Sequence, residues 1–308
     1  MRAIRWTLGI LFLFAILVTG HRYYNIYSSQ NQFEDNQKHH KYVKETNAFP
    51  VATSQSYFPE NATTPFKRSV MVLHGLTSSP AGLRTLYPEL EKHKIPYHSA
   101  RLLGHGIKSQ HILDVVKLSD WLRDGVEAFD LLAAMSDKVD IVASSVGGAI
   151  SLHVAKLRSN SPKLGKLILL APYISVNESH DTNRWLMSTP IISNILRWTM
   201  PYVQGKAEKD SSVKVFSHRP IPVSSVEVIW KLSDLITPDL LSSIKAESID
   251  VMLAPEDISV NLEGIKQKFR DSQVAHTIHV FKKSTHAMLE DSNKQEVLDK
   301  IIDTLKKN

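Results

Sequence analysis

The feature that most restricts the fold of this chain is a string of small residues between an apolar segment and an amphipathic one. Val139–Ala143 is a compact, largely apolar run that predicts a buried strand. Val146–Leu157 has the spacing of a helix. The junction reads Ala143-Ser144-Ser145-Val146-Gly147-Gly148, and nearly all of its residues are small. The chain is therefore predicted to turn from strand into helix without a connecting loop.

The rest of the body repeats this alternation of strand and helix. The predicted strands are Ser69–Leu73, Tyr97–Leu102, Val139–Ala143, Lys166–Ala171, Ile249–Ala254 and His276–Phe281. The predicted helices are Pro80–His93, Leu118–Met135, Val146–Leu157 and Asp291–Lys306. Apolar strands that alternate with helices predict an α/β fold, with a mostly parallel sheet and helices on both faces. Functional groups in such sheets gather at the carboxyl ends of the strands.

The stretch from about 173 to 247 departs from this rhythm and is rich in Trp, Met and Pro. Amphipathic helices are predicted at Arg184–Met200 and Ser225–Ile236. Because a simple crossover needs far fewer residues, we interpret the stretch as a helical cap insertion over the carboxyl edge of the sheet. Ordinary crossover helices are the alternative. Its aromatic and methionine side chains either pack together or line an apolar pocket.

Residues 1–22 have the character of a targeting segment. Arg2 and Arg5 precede an apolar run over Trp6–Gly20, which ends in small residues. This pattern predicts either a cleaved signal peptide or a transmembrane anchor helix that contacts the membrane. Both place the body outside the cytosol, on the periplasmic or extracellular face or secreted. Residues 23–47 are polar and predict a linker to a domain over 48–308.

The composition excludes several classes of function. The chain has 308 residues and no cysteine, so it has no disulfide, thiolate metal site or cysteine nucleophile. Its net charge is +6, and its basic residues are scattered along the chain. They do not form the basic stripe with interleaved aromatics that predicts a nucleic-acid partner. The pair His39-His40 lacks a third ligand at metal-binding spacing. No metal or cofactor is predicted.

Ser145 is the candidate nucleophile in the junction string. A reactive serine at such a turn needs small residues two positions before it and two positions after it. Ser145 has Ala143 and Gly147 there, whereas Ser144 would have a β-branched valine at both. The alternative interpretation of Ser145 is a residue that caps the following helix.

A serine nucleophile needs a histidine base. His286 follows a predicted strand and precedes the last helix, so we expect it at the carboxyl edge of the sheet. His276 and His279, by contrast, lie within that strand.

The histidine in turn needs a carboxylate that orients it. Asp257 follows the strand Ile249–Ala254 through a short turn and is the candidate. Asp250 lies at the wrong end of the same strand, and Asp291 is interpreted as a solvated or capping residue.

A loop that could bind an oxyanion follows the first clear strand, at His74-Gly75-Leu76. Its glycine allows close approach to the nucleophile, and a backbone N–H of the loop can face the developing charge. A second N–H would come from Val146, the residue after Ser145.

From about Val70 to its C-terminus the chain resembles bacterial carboxylesterases and monoacylglycerol lipases of the α/β-hydrolase superfamily, a group also labelled serine aminopeptidase-like. The residues that carry the resemblance are His74-Gly75-Leu76, Gly104-His105-Gly106, Asp120-Trp121, the string at 143–147, Asp257 and His286. The sequence departs from the family at Ala143 and Ala254, where glycine is usual. The resemblance implies an α/β-hydrolase fold, with the amides of Leu76 and Val146 as the oxyanion donors.

The resemblance also implies a function. It predicts hydrolysis of a small carboxylic ester, apolar or acyl-bearing, through an acyl-enzyme and without a cofactor. A peptidase or a thioesterase would use the same three side chains. A catalytically silent binding protein on this fold is the alternative from another class. The order Ser145, Asp257, His286 along the chain favours an enzyme.

Overall fold

The computed structural model describes residues 54–59, 65–106, 113, 116–176, 190–200, 202–203 and 221–307. The predicted targeting segment at 1–22 and the linker at 23–47 lie outside these residues. Within the described ranges, no helix combines the length and the apolar character needed to cross a membrane.

Strands and helices alternate along the described chain. The strands are β1 (Gln55–Tyr57), β2 (Phe66–Leu73), β3 (Tyr97–Ala100), β4 (Ser136–Ser144), β5 (Leu164–Leu170), β6 (Tyr202–Val203), β7 (Ile221–Pro222), β8 (Ile249–Leu253) and β9 (Thr277–Val280). The helices are α1 (Tyr87–Lys92), α2 (Leu118–Met135), α3 (Val146–Leu157), α4 (Pro190–Thr199), α5 (Val223–Leu235), α6 (Pro238–Ser242), α7 (Leu262–Ser272) and α8 (Lys294–Lys306).

The prediction of one helix over Pro80–His93 is wrong. The segment forms a 3-10 helix at Pro80–Leu83 and then the short α1. A continuous helix would place Pro88 in its interior, where proline lacks the N–H that would bond the carbonyl of Arg84. Each of the two short helices instead has a proline in its first turn, where that N–H is not needed.

A seven-stranded sheet forms the centre of the molecule, in the order β1-β3-β2-β4-β5-β8-β9. Only β1 pairs antiparallel to its neighbour in this sheet, and every other pair is parallel. The prediction of a mostly parallel sheet is therefore confirmed. The carboxyl ends of β4, β5, β8 and β9 share one edge, which fixes where the loops that follow them meet.

Two hydrophobic cores lie on the two faces of this sheet. On β2, Met71 and Leu73 belong to one core, whereas Val70 and Val72 belong to the other. The alternation follows from the two-residue period of a strand. Trp121 and Phe269, from α2 and α7, contribute to the first core, and α1 and α8 cover the second. Helices therefore cover both faces, as predicted.

Ion pairs cross-link the strands towards their amino ends. The buried Asp140 of β4 accepts hydrogen bonds of 2.8 and 2.6 Å from Arg68 of β2. Arg68 also pairs with Glu247 at 2.5 Å, and Lys138 pairs with Glu247 at 2.8 Å. Burial raises the pKa of Glu247, but the hydrogen bonds from Lys138 and Arg68 outweigh this effect and hold the pKa below its ordinary value.

The stretch predicted as a cap, at about 173–247, is described in part. The strands β6 and β7 form a small antiparallel pair apart from the main sheet. The helix α5 packs against α2 and α3, and its Ile229 and Leu232 enter the first core. An ion pair between Arg197 and Glu227 joins α4 to α5. The extent of a cap over the carboxyl edge stays a prediction.

Candidate active site

Ser145 occupies a sharp turn between β4 and α3. Its backbone has φ 53° and ψ −120°, a conformation that a non-glycine residue adopts only under strain. The surrounding backbone holds it in place. Its N–H donates to the carbonyl of Leu170 at 2.9 Å, and its own carbonyl accepts from Gly148 and Tyr173, both at 2.9 Å. This strained turn places the Ser145 side chain at the carboxyl edge of the sheet.

The residues two positions from Ser145 explain why the turn closes. A Cβ at Gly147 would lie 2.5 Å from the carbonyl oxygen of His74, so only glycine fits there. Ala143 is fully buried on β4, in register with Leu73 of β2 on one side and Leu169 of β5 on the other. The sheet therefore accommodates the methyl group of Ala143 at this position.

The three predicted side chains meet at this edge. His286 Nε2 lies 2.8 Å from Ser145 Oγ, and His286 Nδ1 lies 2.7 Å from Asp257 Oδ2. Because a carboxylate only accepts, this geometry places the imidazole proton on Nδ1 and leaves Nε2 to accept the hydroxyl proton of Ser145. The Asp257 side chain is 1% exposed, and its Oδ1 accepts from the amides of Ser259 (2.7 Å) and Val260 (3.1 Å).

The loop that carries His286 is cross-linked internally. The N–H of Thr285 donates to Asp291 Oδ2 at 2.6 Å, and the Thr285 hydroxyl donates to Asp291 Oδ1 at 3.0 Å. Ser284 Oγ donates to Asn293 Oδ1 at 3.0 Å. Sequence reasoning treated Asp291 as a solvated or capping residue and missed this contact beside His286. The cue was available, since an acid five residues after a candidate base can close a turn around it.

The loop His74-Gly75-Leu76 lies against Ser145. A Cβ at Gly75 would come within 2.9 Å of Ser145 Cβ, which explains the glycine. His74 Nε2 accepts from the N–H of Leu102 at 3.1 Å, so its Nδ1 carries the proton and donates to the Gly75 carbonyl at 2.9 Å. Val146 is the first residue of α3, where a helix leaves the amide free of intrahelical bonds.

A buried polar network supports this loop from behind. The ring of His105 packs between His74 and Trp121, with centroid distances of 5.0 and 5.3 Å. Trp121 Nε1 donates to the carbonyl of Leu103 at 3.0 Å, and Asp124 accepts from the Leu103 amide at 2.7 Å. Sequence reasoning missed Asp124. A carboxylate three residues after Trp121, on the buried stripe of α2, was the signal that could have found it.

A cavity of about 150 Å³ opens beside Ser145 and His286. The residues around it include the apolar Leu76, Leu83, Met288 and Leu289 and the charged Arg84 and Glu290. Arg84 and Glu290 pair with each other in a bidentate arrangement, with N···O distances of 2.8 and 3.0 Å. In the described ranges, including this cavity, no cluster of three or more His, Asp or Glu side chains is arranged to hold a metal ion.

Comparison with known proteins gives a match over more than half of the chain. Residues 64–227 match the family model described as serine aminopeptidase, S33. This range includes Ser145 and the loop at 74–76, and it ends before Asp257 and His286.

Solved structures with this fold include several lipid-cleaving enzymes. A lipolytic enzyme of metagenomic origin is 19% identical with a TM-score of 0.71, over 85% of this chain and 100% of that chain. A monoacylglycerol lipase of Paleococcus ferrophilus is 17% identical with a TM-score of 0.65, over 82% and 97%. A monoglyceride lipase of Saccharomyces cerevisiae is 13% identical with a TM-score of 0.62, over 82% and 90%. At these identities the likeness establishes the α/β-hydrolase fold.

Proposed function

Because this chain belongs to the serine aminopeptidase S33 family of α/β hydrolases, we propose that it cleaves carboxylic esters through an acyl-enzyme on Ser145. The observation that carries the proposal is the line of hydrogen bonds from Asp257 through His286 to Ser145 Oγ. A serine that only capped α3 would turn its hydroxyl to the helix amides. The Ser145 side chain makes no such bond to α3.

In the first half-reaction Ser145 is acylated. His286 Nε2 takes the hydroxyl proton as Ser145 Oγ bonds to the ester carbonyl carbon, and the carbonyl electron pair moves onto oxygen. The amides of Leu76 and Val146 donate to this oxyanion, while Asp257 stabilises the charged imidazolium. The oxyanion then reforms the carbonyl, the bond to the alcohol oxygen breaks, and that oxygen takes the proton from His286 Nε2.

In the second half-reaction water releases the acid. His286 Nε2 removes a proton from a water molecule as its oxygen bonds to the acyl carbon, and the same two amides bind the new oxyanion. When this intermediate collapses, Ser145 Oγ leaves and takes back the proton from Nε2. One ester and one water thus give one alcohol and one carboxylic acid. Each proton passes through the single imidazole nitrogen that faces Ser145.

The cavity supports an ester rather than an aminopeptidase substrate. An enzyme that binds a free α-ammonium group needs a carboxylate to pair with it. Among the described residues that line the cavity, Glu290 is the one acidic side chain, and Arg84 already pairs with both of its oxygens. The leucine and methionine side chains nearby suit an apolar acyl group. The lipolytic enzymes among the structural neighbours agree with this substrate class.

We also propose that the body acts outside the cytosol, held at the membrane by residues 1–22 or released after their cleavage. The support is the order of Arg2 and Arg5, the apolar run and the polar linker. The mass of the mature protein tests this proposal. A chain that starts near His21 would overturn the anchor and support a cleaved signal.

The direct test compares Ser145→Ala with Ser144→Ala in the same assays. The substrates are p-nitrophenyl esters of increasing acyl length and aminoacyl p-nitroanilides, and a fluorophosphonate labels the reactive serine. We expect Ser145→Ala to lose the label and at least about 10³-fold in kcat. Ser144→Ala should keep both.

Three outcomes would contradict the proposal. Equal labelling of wild type and Ser145→Ala would place the nucleophile elsewhere. Faster turnover of anilides than of esters would make the protein a peptidase. The absence of both labelling and turnover in wild type would leave a binding protein on this fold.

A further inference from the structure

Two contacts fasten the loop that carries His286 to the segment that follows the oxyanion loop. The first is the bidentate pair between Arg84 and Glu290, at 2.8 and 3.0 Å. The second is a hydrogen bond of 3.0 Å from the hydroxyl of Thr85 to the carbonyl of Leu289. The two segments are about two hundred residues apart in the chain, so neither local sequence dictates the other's position.

Glu290 is linked to His286 through a short backbone turn. Its N–H donates to the carbonyl of Ala287 at 2.7 Å, which closes a turn directly after His286. On the other side of His286, Thr285 bonds Asp291. The base therefore lies between two fixed points, and one of these is the carboxylate that Arg84 holds.

Arg84 is anchored in turn to the segment that begins at the oxyanion loop. It follows the 3-10 helix Pro80–Leu83, and its guanidinium also donates to the Ala81 carbonyl at 3.2 Å. A further backbone bond, from Ser78 N–H to the Gly75 carbonyl, continues the connection to the oxyanion loop. The pair thus spans the cavity wall between the oxyanion loop and the base.

The Arg84–Glu290 pair is partly exposed to solvent, so it adds little to stability, but it can still hold the His286 loop in position. The Arg84 side chain is 38% exposed and that of Glu290 is 19% exposed, and ion pairs this close to solvent add little to the free energy of unfolding. A bidentate arrangement nevertheless fixes geometry in two directions. A displacement of about 1 Å between a nucleophile and its base can slow catalysis about 10²-fold.

We propose that the Arg84–Glu290 pair is a positioning clamp that keeps His286 Nε2 in line with Ser145 Oγ. This inference rests on the proposed function, because it assigns the clamp to the acylation step. The clamp acts on kcat and on the rate of fluorophosphonate labelling, and only weakly on KM or on unfolding.

The chain offers a matched control on another part of the surface. Arg158 also makes a bidentate pair, with Asp130, through Nε and one terminal nitrogen at 2.8 and 2.5 Å, and it joins the end of α3 to α2. Arg158 is 30% exposed against 38% for Arg84, whereas Asp130 is 50% exposed against 19% for Glu290. This pair does not border the cavity. A merely structural role would leave kcat per active site unchanged when either pair is removed, whatever its effect on the free energy of unfolding.

The experiment measures kcat and KM per active site, titrated with a fluorophosphonate, in the full chain. We expect Glu290→Ala and Arg84→Ala each to lower kcat about 10- to 100-fold, with KM within about threefold. The double variant should be no worse than either single variant, because both remove the same contact. Glu290→Gln should recover part of kcat, and added guanidinium ion should partly rescue Arg84→Ala. Asp130→Ala and Arg158→Ala should stay within about twofold of wild type.

The outcomes separate the clamp from the proposed function. An active wild type whose Glu290→Ala and Arg84→Ala variants match the controls would overturn the clamp and leave the function intact. Losses confined to KM would also overturn it, since the pair would then bind substrate instead of aligning the base. Additive losses in the double variant would contradict a shared contact. A wild type without ester turnover or labelling would overturn the proposed function and the clamp with it.

Discussion

Among the described residues, two histidine–aspartate pairs lie on or just beyond the neighbouring strands β8 and β9, and they have different surroundings. His279 Nε2 lies 2.8 Å from Asp250 Oδ1, and His286 Nδ1 lies 2.7 Å from Asp257 Oδ2. In each pair the two residues are 29 positions apart. The first pair lies on β8 and β9 themselves, whereas the second lies on the loops that follow those strands.

The difference shows what a histidine–aspartate pair needs before it can act on a serine. His279 uses Nε2 for its carboxylate and projects from the sheet. His286 uses Nδ1, so its Nε2 points at Ser145. The carboxyl edge of the sheet provides the third group and the freedom of a loop to turn the ring. The two pairs contain the same chemical groups. The ability of His286 to act on Ser145 therefore depends on where its pair lies in the fold.

The largest expected contrast comes from the two aspartates. Asp257→Asn should lower kcat by about 10⁴-fold, because the amide no longer fixes the Nδ1 tautomer or stabilises the imidazolium. Asp250→Asn should leave kcat within about twofold and cost about 1 kcal/mol of unfolding free energy. Steady-state kinetics and urea denaturation of both variants measure this. Comparable losses of kcat would mean that the His279 pair also supports catalysis.

The next contrast uses two tightly packed glycines. Gly147 lies beyond the carboxyl end of β4, and Gly165 lies near the amino end of β5. Gly147→Ala forces a methyl against the carbonyl of His74, so we expect a loss of at least about 10²-fold in kcat as the oxyanion loop moves. Gly165→Ala forces a methyl against Asp140 near the amino ends, and should cost about 1–3 kcal/mol of stability.

Active-site titration separates the two glycine effects. The fraction of Gly165→Ala that folds should keep the wild-type kcat per site, whereas Gly147→Ala should be slow at every site. An equally slow Gly165→Ala would show that the amino ends of the strands also control the site.

The smallest expected effect is on the pH dependence of stability. The folded pKa of Glu247 is lowered by Lys138 and Arg68, so its contribution is present above the unfolded pKa and is lost as the pH falls through the folded pKa. Glu247→Gln should remove about 0.5 kcal/mol near neutral pH and none at the acid end, with kcat unchanged. Urea denaturation from about pH 7 to below about pH 3 measures it, because the folded pKa lies below the ordinary value for a glutamate. A constant difference across this range would contradict the ion-pair assignment.

The sequence predicted those features that depend on neighbouring residues, namely helix bounds and the tight turn at Ser145. The helices at Leu118–Met135 and Val146–Leu157 begin and end where their apolar spacing does. The frame around Ser145 selected the serine that meets His286, because steric demand in a tight turn is local. The helix predicted over Pro80–His93 was wrong because its apolar spacing outweighed the prolines that interrupt it.

Contacts between distant segments were not predictable from one sequence. Arg84 and Glu290 are separated by 206 positions, and neither is unusual in its own surroundings. The pair of Asp250 and His279 depends on the register of β8 against β9, which no single segment encodes. The targeting segment at 1–22 and the cap over 173–247 remain predictions, as do the catalytic roles until the variants are measured.

The placement of the catalytic groups also bears on how the protein assembles. Ser145 directly follows β4 at the middle of the sheet, while His286 lies 141 positions away, beyond the edge strand β9. Closing so long a segment costs chain entropy, so we expect this contact to form late, after β2, β4 and β5 have associated. In that order of events, ester hydrolysis would report the completed sheet and not its first strands. During refolding from urea, far-UV circular dichroism should recover before ester turnover, and the lag between them would time the docking of β8 and β9.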